Sequence, residues 1–354
     1  MATEKKLVVF DFDIPGLWNN KIFIAEQAAK VHHTILPSVM LFQKARERGI
    51  ELVTQDIFFK LKDRPKKVLL ISGLITPFTR ELIAAGVKPI LLTCQESPFI
   101  AARFYLSLPK ISSWFKYSMV FSGMKKQLSP KTQYLQMFFP ESFNPADSPQ
   151  VPFAQKKFLT MVSSNKRLAN WKKVIALKWT YGWKVKPIYS LRQEVVNFYS
   201  KASGFDLYGR DWEKGGGSRA ETEAIKKVYR GPIADKTEVM KGYKFAFCFE
   251  NAVMPGYVTE KIFDAMFAGC VPIYSGAPDI TDLVPNDTFI DMRQFKNLVE
   301  LDNFLRATDE LQYKKYQENI KAYLASARFQ NTFSQEHFAE TIINLLEQEF
   351  GTYG

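Results

Sequence analysis

Short apolar runs alternate with segments of helical periodicity along this 354-residue chain, and this alternation limits the fold more than any other feature. In the first half, strands are predicted at residues 7–10, 68–71, 89–93 and 119–121, and helices at 20–31, 38–48 and 79–85. Strands that alternate with helices form parallel sheets with helices on both faces. The first half therefore predicts a doubly wound α/β domain.

The second half repeats the alternation after a proline-rich segment, residues 139–152, whose four prolines exclude a regular element and predict a linker. Strands are predicted at 158–162, 205–208, 243–249 and 271–274, helices at 191–200, 222–227 and 259–268, and a mostly helical region at 298–350. We predict an N-terminal domain of residues 1–145, a C-terminal domain of residues 153–335, and a final helix, residues 336–354, that packs back on the N-terminal domain.

Composition excludes several classes of protein. Three cysteines, Cys94, Cys248 and Cys270, form no CxxC pair, and the chain has three histidines, so neither a disulfide scaffold nor a zinc site is predicted. No apolar run reaches the ~18 residues of a membrane-spanning helix, and the first run is too short for a signal peptide. The net charge of +12 suits nucleic acid, an anionic membrane or a phosphorylated ligand. We expect a cytoplasmic protein with peripheral contact to anionic membrane, or a Golgi lumenal domain without its anchor.

Residues 243–285 combine a strand, a loop, a helix and a second strand. The first strand ends at Glu250-Asn251, and the helix begins near Thr259. Ligands bind beyond the carboxyl ends of parallel strands, where the N–H groups of a helix N-terminus favour an anion such as a diphosphate. Lys261 lies in the first helical turn, where a cation opposes the helix dipole by ~0.3–1 kcal/mol. A bound phosphate would explain this lysine, and a surface ion pair with Glu260 is the alternative.

The stretch FENAVMPGYVTEKIFDAMFAGCVPIYSGAP, residues 249–278, resembles the signature of glycosyltransferase family 10, the α-1,3/1,4-fucosyltransferases. It departs from that signature at Ser275, where the family usually has tryptophan. Three further segments resemble bacterial members of the family: SSNKR at 163–167, YSLRQEVVNFY at 189–199 and FDLYGRDW at 205–212. In the N-terminal half, the resemblance is confined to LLTCQESPF at 91–99.

The resemblance implies a GT-B architecture, in which two Rossmann-like domains face a cleft. It also implies an inverting, metal-independent reaction that transfers L-fucose from GDP-fucose to a hydroxyl of an acceptor. The acceptor would be an oligosaccharide or a glycolipid, fucosylated in α-1,3 linkage on an N-acetylglucosamine-type residue. No cofactor besides the donor substrate is expected, and no nucleic-acid partner.

The resemblance implies roles for individual residues as well. Glu96 would be the general base that removes the proton of the acceptor hydroxyl. Arg192 and Lys261 would stabilise the charge that develops on the leaving diphosphate. Glu260 would bind the ribose hydroxyls, and Glu250 would contact the sugar. The remaining matches are expected near the nucleotide or the diphosphate: Asn251, Tyr257, Asn165, Lys166 and Arg167.

Two alternative functions follow from features outside this pattern. Because Ser275 departs from the signature, the same fold could use another GDP-6-deoxyhexose. The many lysines, together with three tryptophans, are compatible with a non-catalytic basic module that binds nucleic acid or another surface, but no nucleic-acid-binding signature accompanies them. These tryptophans are Trp171, Trp179 and Trp183.

Two acidic features give alternatives for the chemistry. Asp11 and Asp13 form a DxD triplet, which holds a divalent metal in other glycosyltransferases, but its place at the extreme N-terminus favours coincidence. If Glu96 is not the base, Glu141 in the predicted linker is the next candidate.

Overall fold

The computed structural model describes residues 5–31, 33–142, 151–166, 171–182 and 184–351. The chain divides into two compact units, one formed by Met1–Ser142 with Phe329–Gly354 and the other by Phe143–Arg328. Most of the proline-rich segment lies outside the described residues, as do Arg167 and Trp183. In the described part of the chain, no helix has both the length and the apolar character needed to cross a bilayer.

The first unit is built on a six-stranded parallel sheet with the spatial order β2-β1-β3-β4-β5-β6. Its strands are β1 Lys6–Asp11, β2 Ile50–Thr54, β3 Val68–Gly73, β4 Lys88–Thr93, β5 Tyr117–Val120 and β6 Gln133–Gln136. Its helices are Ala25–Val31, Pro37–Glu47, Gln55–Phe58, Pro77–Ala84, Ala102–Ile111 and Gln335–Gly351. Successive residues of β1, Leu7 to Val9, are fully buried, as expected for a parallel sheet whose two faces are both covered.

The last helix of the chain, Gln335–Gly351, packs against the helix Pro37–Glu47 within the first unit. Lys44 and Glu340 form an ion pair of 2.7 Å between these two helices. Near the end of the last helix, the buried carboxylate of Glu349 accepts hydrogen bonds from Lys88 and Lys116. These contacts make residues of the C-terminus part of the first unit.

The second unit is built on a five-stranded parallel sheet with the spatial order β13-β12-β10-β7-β9, accompanied by a short antiparallel pair, β8 and β11. Its strands are β7 Lys157–Val162, β8 Lys186–Pro187, β9 Phe205–Tyr208, β10 Tyr243–Phe249, β11 Ala252–Val253, β12 Val271–Ser275 and β13 Ile290–Asp291. Its helices are Trp171–Tyr181, Tyr189–Tyr199, Arg219–Val228, Lys236–Met240, Glu260–Phe267, Ile280–Leu283, Leu298–Ala307 and Glu310–Leu324. The helix Ala327–Phe333 contains the boundary between the units.

The predicted helix at 20–31 is wrong over its first part. Asn19 and Asn20 have positive φ values of 57° and 59°, and a 3-10 turn, Lys21–Phe23, precedes the helix Ala25–Val31. The side chain of Asn20 accepts a hydrogen bond of 2.8 Å from the N–H of Thr54, which holds this conformation against the end of β2. A tertiary contact therefore overrides the helical pattern of the sequence.

Candidate functional site

The strand order of the second unit reverses between β7 and β10, because β9 lies on one side of β7 and β10 on the other. In open parallel sheets, ligands bind at such a switch point, beyond the carboxyl ends of the strands. Residues 163–166 follow β7, and Glu250-Asn251 follow β10. The fold therefore brings Asn165, Lys166, Glu250 and Asn251 to the edge of the sheet where a ligand is expected.

Arg192, on the helix Tyr189–Tyr199, crosses the ends of both strands. Its Nη2 donates to the carbonyl oxygen of Phe249 at 3.0 Å and to the Oδ1 of Asn251 at 3.0 Å, and its Nη1 donates to the carbonyl oxygen of Ser164 at 3.4 Å. The side chain is buried, and burial lowers the pKa of its guanidinium. Among the described residues, no carboxylate lies within ion-pair distance of Arg192.

Glu250 is fully buried and holds the start of the helix Glu260–Phe267. Its Oε1 accepts from the N–H of Thr259 at 2.8 Å, and its Oε2 accepts from the hydroxyl of Thr259 at 2.7 Å. The anion at this helix N-terminus is therefore the side chain of Glu250, in the place where the sequence pattern predicted a diphosphate. Burial raises the pKa of the Glu250 carboxyl.

Lys261 reaches the same carboxylate from the first turn of the helix. Its Nζ lies 3.3 Å from Oε2 of Glu250 and 3.2 Å from Oε1 of Glu260, and it donates to the hydroxyl of Thr259 at 2.8 Å. Burial opposes the charged ammonium, but the two carboxylates raise the pKa of Lys261 well above its usual value. These carboxylates explain the unusual position of the lysine without a phosphate, and the pair with Glu260 is part of a mostly buried network.

A second lysine completes this network. Lys236 lies 3.6 Å from Oε1 of Glu260 and 3.4 Å from Oδ2 of Asp264. Burial acts against the charge of Glu260, yet Lys261 and Lys236 hold the pKa of its carboxyl well below the usual range. We use the term charged cluster for three cations and three carboxylates: Arg192, Lys236, Lys261, Glu250, Glu260 and Asp264.

Glycine is required beside this cluster at Gly276. A Cβ at this position would lie 2.4 Å from Cγ of Glu250 and 2.6 Å from the hydroxyl oxygen of Tyr274. The preceding residue, Ser275, pairs with Phe249 in the sheet, and its carbonyl oxygen accepts from the N–H of Glu250 at 2.9 Å. The position at which the chain departs from the family signature therefore directly adjoins the charged cluster.

The loop after β7 is fixed by a close approach to the loop after β9. Asn165 donates from Nδ2 to the carbonyl oxygens of Asp211 and Gly215, at 3.2 and 3.1 Å. Gly209, with a φ of 131°, lies so close to Ser163 that a Cβ would be 2.0 Å from its carbonyl oxygen. Lys166 is exposed on this loop. Asn165 therefore has a structural role at the strand end, and Arg167 lies outside the described residues.

Tyr257 lies in the loop that leads to the helix Glu260–Phe267, and its side chain is 2% exposed. Its carbonyl oxygen accepts from the hydroxyl of Tyr274 at 3.5 Å. The ring is therefore packed into the unit, so contact with a nucleotide would require this loop to move.

Glu96 lies in the first unit, after the carboxyl end of β4, and its side chain is exposed. Its carbonyl oxygen accepts from the hydroxyl of Tyr105 at 2.7 Å, which fixes the turn while leaving the carboxylate accessible. Glu141, the second candidate for the base, has a buried side chain, and its main chain is bonded to Phe333 and Gln335. The two candidates for the base therefore differ in burial, with Glu96 exposed and Glu141 buried.

The DxD triplet has a structural explanation at its first position. Asp11 is fully buried at the end of β1, and its carboxylate accepts from the hydroxyls of Thr76 at 2.7 Å, Ser72 at 3.2 Å and Thr79. Asp13 is exposed. Within the described ranges, no group of three or more His, Cys, Asp and Glu residues is arranged to hold a metal ion.

The sequence pattern did not identify Thr259, Lys236 and Asp264 as members of the site. Thr259 precedes Glu260 at a helix start, which is the usual signal for a capping residue. Asp264 follows Glu260 by one helical turn, so its position on the same face was available from spacing. Lys236 lies 28 residues before Asp264 and carried no local signal.

Residues 186–349 match the family model described as glycosyltransferase family 10 (fucosyltransferase), C-terminal. The match lies within the C-terminal half of the chain. The matched region contains Arg192, the strand end at Glu250 and the helix of Lys261, which are the features that the resemblance singled out. The recognition of family 10 from the sequence motifs is thus confirmed.

The chain is similar to fucosyltransferases whose names differ in linkage or in the type of transfer. An alpha-(1,3)-fucosyltransferase of Helicobacter pylori is 39% identical over 74 residues, 21% of this chain and 16% of the relative. An alpha-(1,4)-fucosyltransferase of Arabidopsis thaliana is 39% identical over 79 residues, 22% of this chain and 20% of the relative. GDP-fucose protein O-fucosyltransferase 3 of Homo sapiens is 32% identical over 110 residues, 30% of this chain and 23% of the relative. The chain thus spans about a fifth of the length of these relatives.

Solved structures resemble the chain over nearly its whole length. A crystal structure of an alpha1,3-fucosyltransferase gives a TM-score of 0.51 at 16% identity, covering 98% of this chain and 92% of that one. HepE of Anabaena, in complex with UDP and glucose, gives a TM-score of 0.58 at 10% identity, covering 97% and 100%. At these identities the likeness establishes the fold alone. The predicted α/β fold of the GT-B type, with two Rossmann-like domains, is confirmed.

Proposed function

We propose that this chain is a fucosyltransferase that transfers L-fucose from GDP-fucose to a hydroxyl of an acceptor glycan. One observation carries the proposal: the family 10 domain places its motif residues Arg192, Asn251 and Lys261 around the switch point of a parallel sheet. The fold alone would not select this donor, because neighbours of equal or higher TM-score were solved with UDP. The family domain is therefore the feature that favours GDP-fucose.

The proposed donor site uses Arg192 and Lys261 as the cations for the diphosphate. Arg192 is the better placed of the two for an added anion, because its guanidinium has no carboxylate partner among the described residues. A planar guanidinium also suits two-point contact with phosphate oxygens. Lys261 is already paired with Glu250 and Glu260, so a diphosphate would share its ammonium with these carboxylates.

Glu260 and Glu250 have different access to a ligand. The side chain of Glu260 is 12% exposed, which is compatible with its proposed contact to the ribose hydroxyls. Both oxygens of Glu250 are engaged by Thr259 and Lys261, so a bond to the sugar would require one of these partners to release an oxygen. We therefore assign Glu250 chiefly to positioning Lys261 and the helix start.

The proposed reaction is a single displacement that inverts the anomeric centre. The acceptor hydroxyl attacks the anomeric carbon from the face opposite the diphosphate, Glu96 accepts the hydroxyl proton, and GDP leaves with the bonding electron pair. Arg192 and Lys261 stabilise the growing negative charge on GDP, so no metal is required. We propose an N-acetylglucosamine-type acceptor on an oligosaccharide or glycolipid and an α-1,3 linkage, as in the name of the Helicobacter pylori relative.

The second candidate donor is another GDP-6-deoxyhexose. Ser275 supports it, because a small side chain stands beside Glu250 at the position where the resemblance expects tryptophan. A narrower side chain would leave more space near the donor sugar. This alternative changes the donor's sugar and keeps the nucleotide, the cations and the base.

The test is a donor and acceptor panel. GDP-fucose, GDP-mannose, a second GDP-6-deoxyhexose and UDP-glucose are each incubated with N-acetyllactosamine-type glycans and with a protein acceptor, and the product linkage is determined by mass spectrometry and NMR. We expect transfer from GDP-fucose to the glycans. Transfer from UDP-glucose without any from GDP-sugars would overturn the proposal, and preference for the second deoxyhexose would select the alternative donor.

A further inference from the structure

One region of the second unit combines strong positive charge with exposed aromatic surface. Between Asp147 and Glu194 the sequence has no acidic residue and contains ten lysines and arginines. The helix Trp171–Tyr181 lies in the middle of this region and carries Lys172, Lys173 and Lys178. Most protein surfaces mix positive and negative charges, whereas this region has no acidic residue. Its charge is therefore complementary to that of an extended anionic partner.

The same helix presents an apolar stripe to the outside. Trp171, Ile175 and Trp179 are 66%, 39% and 74% exposed, and their spacing of four residues places them along one face. Leu177 is fully buried and anchors the opposite side of the helix in the unit. Large exposed tryptophans cost free energy in water, so two of them on one helix indicate a surface that is covered by a partner.

The helix is attached to the candidate site at both ends. It follows the loop of Asn165 and Lys166, and it precedes β8, whose residues Lys186 and Pro187 pair with Val253 and Ala252. Asn251, which accepts from Arg192, immediately precedes that pair. A partner bound to the helix would therefore lie close along the chain to the residues proposed to hold the donor.

We propose that the helix Trp171–Tyr181 docks this protein on an anionic lipid membrane. Helices at a bilayer interface carry lysines on their polar sides and insert tryptophan and aliphatic side chains into the headgroup–acyl boundary. Trp171, Ile175 and Trp179 supply the inserted stripe, and Lys172 and Lys178, which flank it on the helix, meet the lipid phosphates, while Lys173 adds to the positive charge of the opposite side. This inference does not depend on the identity of the donor or the acceptor.

The stripe and the charges favour a membrane over the other partners. Nucleic acid would use the tryptophans for base stacking and the lysines for phosphates, but would leave the aliphatic Ile175 without a complementary surface. A second copy of the chain, paired symmetrically, would bring two sets of lysines together without acidic partners from this region. A bilayer with anionic headgroups satisfies both the apolar stripe and the lysines.

The test measures binding to vesicles by co-sedimentation. One vesicle preparation is phosphatidylcholine alone, and in the other a third of the lipid is phosphatidylglycerol. We expect binding to the anionic vesicles at least about tenfold tighter, since each lysine near such a surface contributes about 1 kcal/mol, and we expect high salt to weaken it. Equal binding to both preparations, or binding to neither, would overturn the proposal.

Two variants test the helix itself. Lys172→Glu with Lys173→Glu should lower binding to anionic vesicles by about tenfold or more. Trp171→Ala with Trp179→Ala should lower it by a similar factor through the loss of inserted surface. Both pairs are at exposed positions, and an unchanged melting temperature and an unchanged GDP response would show that the fold and the proposed donor site are intact.

A matched control is available on the helix Glu310–Leu324, which carries the 78% exposed Leu311 and the exposed pair Lys314-Lys315. Leu311→Ala and Lys314→Glu with Lys315→Glu should leave vesicle binding within about twofold of the unsubstituted protein, as expected of scattered surface residues. An equal loss in these controls would overturn the assignment to Trp171–Tyr181. Concentration-dependent dimers that the tryptophan variants abolish, or oligonucleotide binding in place of vesicle binding, would also overturn it.

Discussion

Each of the two sheets has a buried carboxylate at a strand end beside its switch point, but the partners of the two carboxylates differ. Asp11 ends β1, and Glu250 directly follows β10; each strand borders the point where the strand order of its own sheet reverses. Each carboxylate accepts from a threonine hydroxyl at the start of a helix, Thr76 in the first unit and Thr259 in the second. The shared arrangement fixes the helix start to the strand end.

The difference lies in the charge around each acid. The hydrogen bonds to Asp11 come from the hydroxyls of Ser72, Thr76 and Thr79, whereas Glu250 also lies 3.3 Å from the ammonium of Lys261. Arg192 contacts the carbonyl oxygen of Glu250 as well, at 3.3 Å. Hydroxyls can fix a helix to a strand, whereas the cations beside Glu250 could also share an anionic ligand. This comparison supports donor binding in the second unit.

The largest effect is expected at Glu96, the candidate base of the first unit. Glu96→Gln keeps the size of the side chain but cannot accept the proton, so transfer should fall by about 10²–10⁴-fold. The GDP-induced rise in melting temperature should be unchanged, because the proposed cations for GDP lie in the second unit. Initial rates with saturating donor and acceptor measure the effect.

Glu81 provides the control for Glu96, since it is an exposed glutamate on the helix Pro77–Ala84 of the same unit. Glu81→Gln should transfer at a normal rate. If Glu96→Gln also transfers at a near-normal rate, the base is another carboxylate, and the buried Glu141 becomes the next residue to test.

The second largest effect is expected at Lys261. Lys261→Met removes the ammonium that adjoins Glu250 and Glu260, so turnover should fall by about 10²–10³-fold, as for the loss of one group that stabilises transition-state charge. GDP at a hundredfold excess over its Kd should stabilise the unsubstituted protein by about 2.7 kcal/mol, and the variant should lose most of this gain. Thermal unfolding with and without GDP is the measurement.

Lys156 is a matched control for Lys261, because it is also a buried lysine of the second unit. Its Nζ donates to the carbonyl oxygens of Lys241 and Gly269, at 2.8 and 2.9 Å, beside the amino end of β7. Lys156→Met should destabilise the fold and still respond fully to GDP. A Lys261→Met protein with the full GDP response would show that the charged cluster is not the diphosphate site.

The sequence was sufficient to predict the strands that lead to the site. Strands β9 and β10 have the predicted bounds, because each is mostly apolar apart from one charged residue, Asp206 or Lys244, and each is followed by a polar residue or glycine. Five strands were missed, of which β8, β11 and β13 are only two residues long. The edge strand β6, Gln133–Gln136, begins and ends with glutamine, and β2, Ile50–Thr54, begins only two residues after the helix Pro37–Glu47, so neither stands out as a separate apolar run.

From local sequence patterns, the site was predictable only where its residues are close in the sequence, and Arg192 was assigned to it by the family resemblance alone. Glu250, Thr259 and Lys261 belong to one strand–loop–helix unit, so their proximity follows from the pattern. The contact of Arg192 with Phe249 spans 57 residues and arises from packing that no local pattern describes. The pair of Lys261 with Glu260 was one of the predicted alternatives, but its pair with Glu250 was not anticipated, because the burial of Glu250 depends on the tertiary fold.

A smaller effect is expected on stability, where substitutions of the buried acids Asp11 and Glu250 should lower the free energy of unfolding by different amounts. Asp11→Asn should lower the free energy of unfolding by less than about 2 kcal/mol, because the three hydroxyls can reorient toward a neutral amide and because burial already raises the pKa of this carboxyl. Glu250→Gln should cost more, about 2–4 kcal/mol, because Lys261 loses one of its two carboxylate partners. Urea unfolding measures both.

The GDP response provides an independent measurement of the same pair. Asp11→Asn should respond fully, whereas Glu250→Gln should respond less, because Lys261 and the helix start lose their common anchor. If both variants lose the same free energy of unfolding and show the same GDP response, Asp11 and Glu250 do not differ in role. That result would contradict the distinction between a structural acid in the first unit and a positioning acid in the second.

The smallest effect is expected from a chelator. In the proposed reaction the cations Arg192 and Lys261 take the place of a metal, and the carboxylate of Asp11 is already bonded to three hydroxyls. Transfer rates in EDTA should therefore equal those in magnesium or manganese, within about twofold, since a metal that stabilised the leaving diphosphate would contribute several kcal/mol. Asp13→Asn, which changes the exposed acid of the DxD triplet, should likewise leave the rate unchanged. The proposal would be contradicted if EDTA abolished transfer, manganese restored it, and Asp13→Asn prevented this restoration. Such a result would indicate that a metal held by the first unit stabilises the charge on the leaving diphosphate, and it would reverse the comparison between the two strand ends.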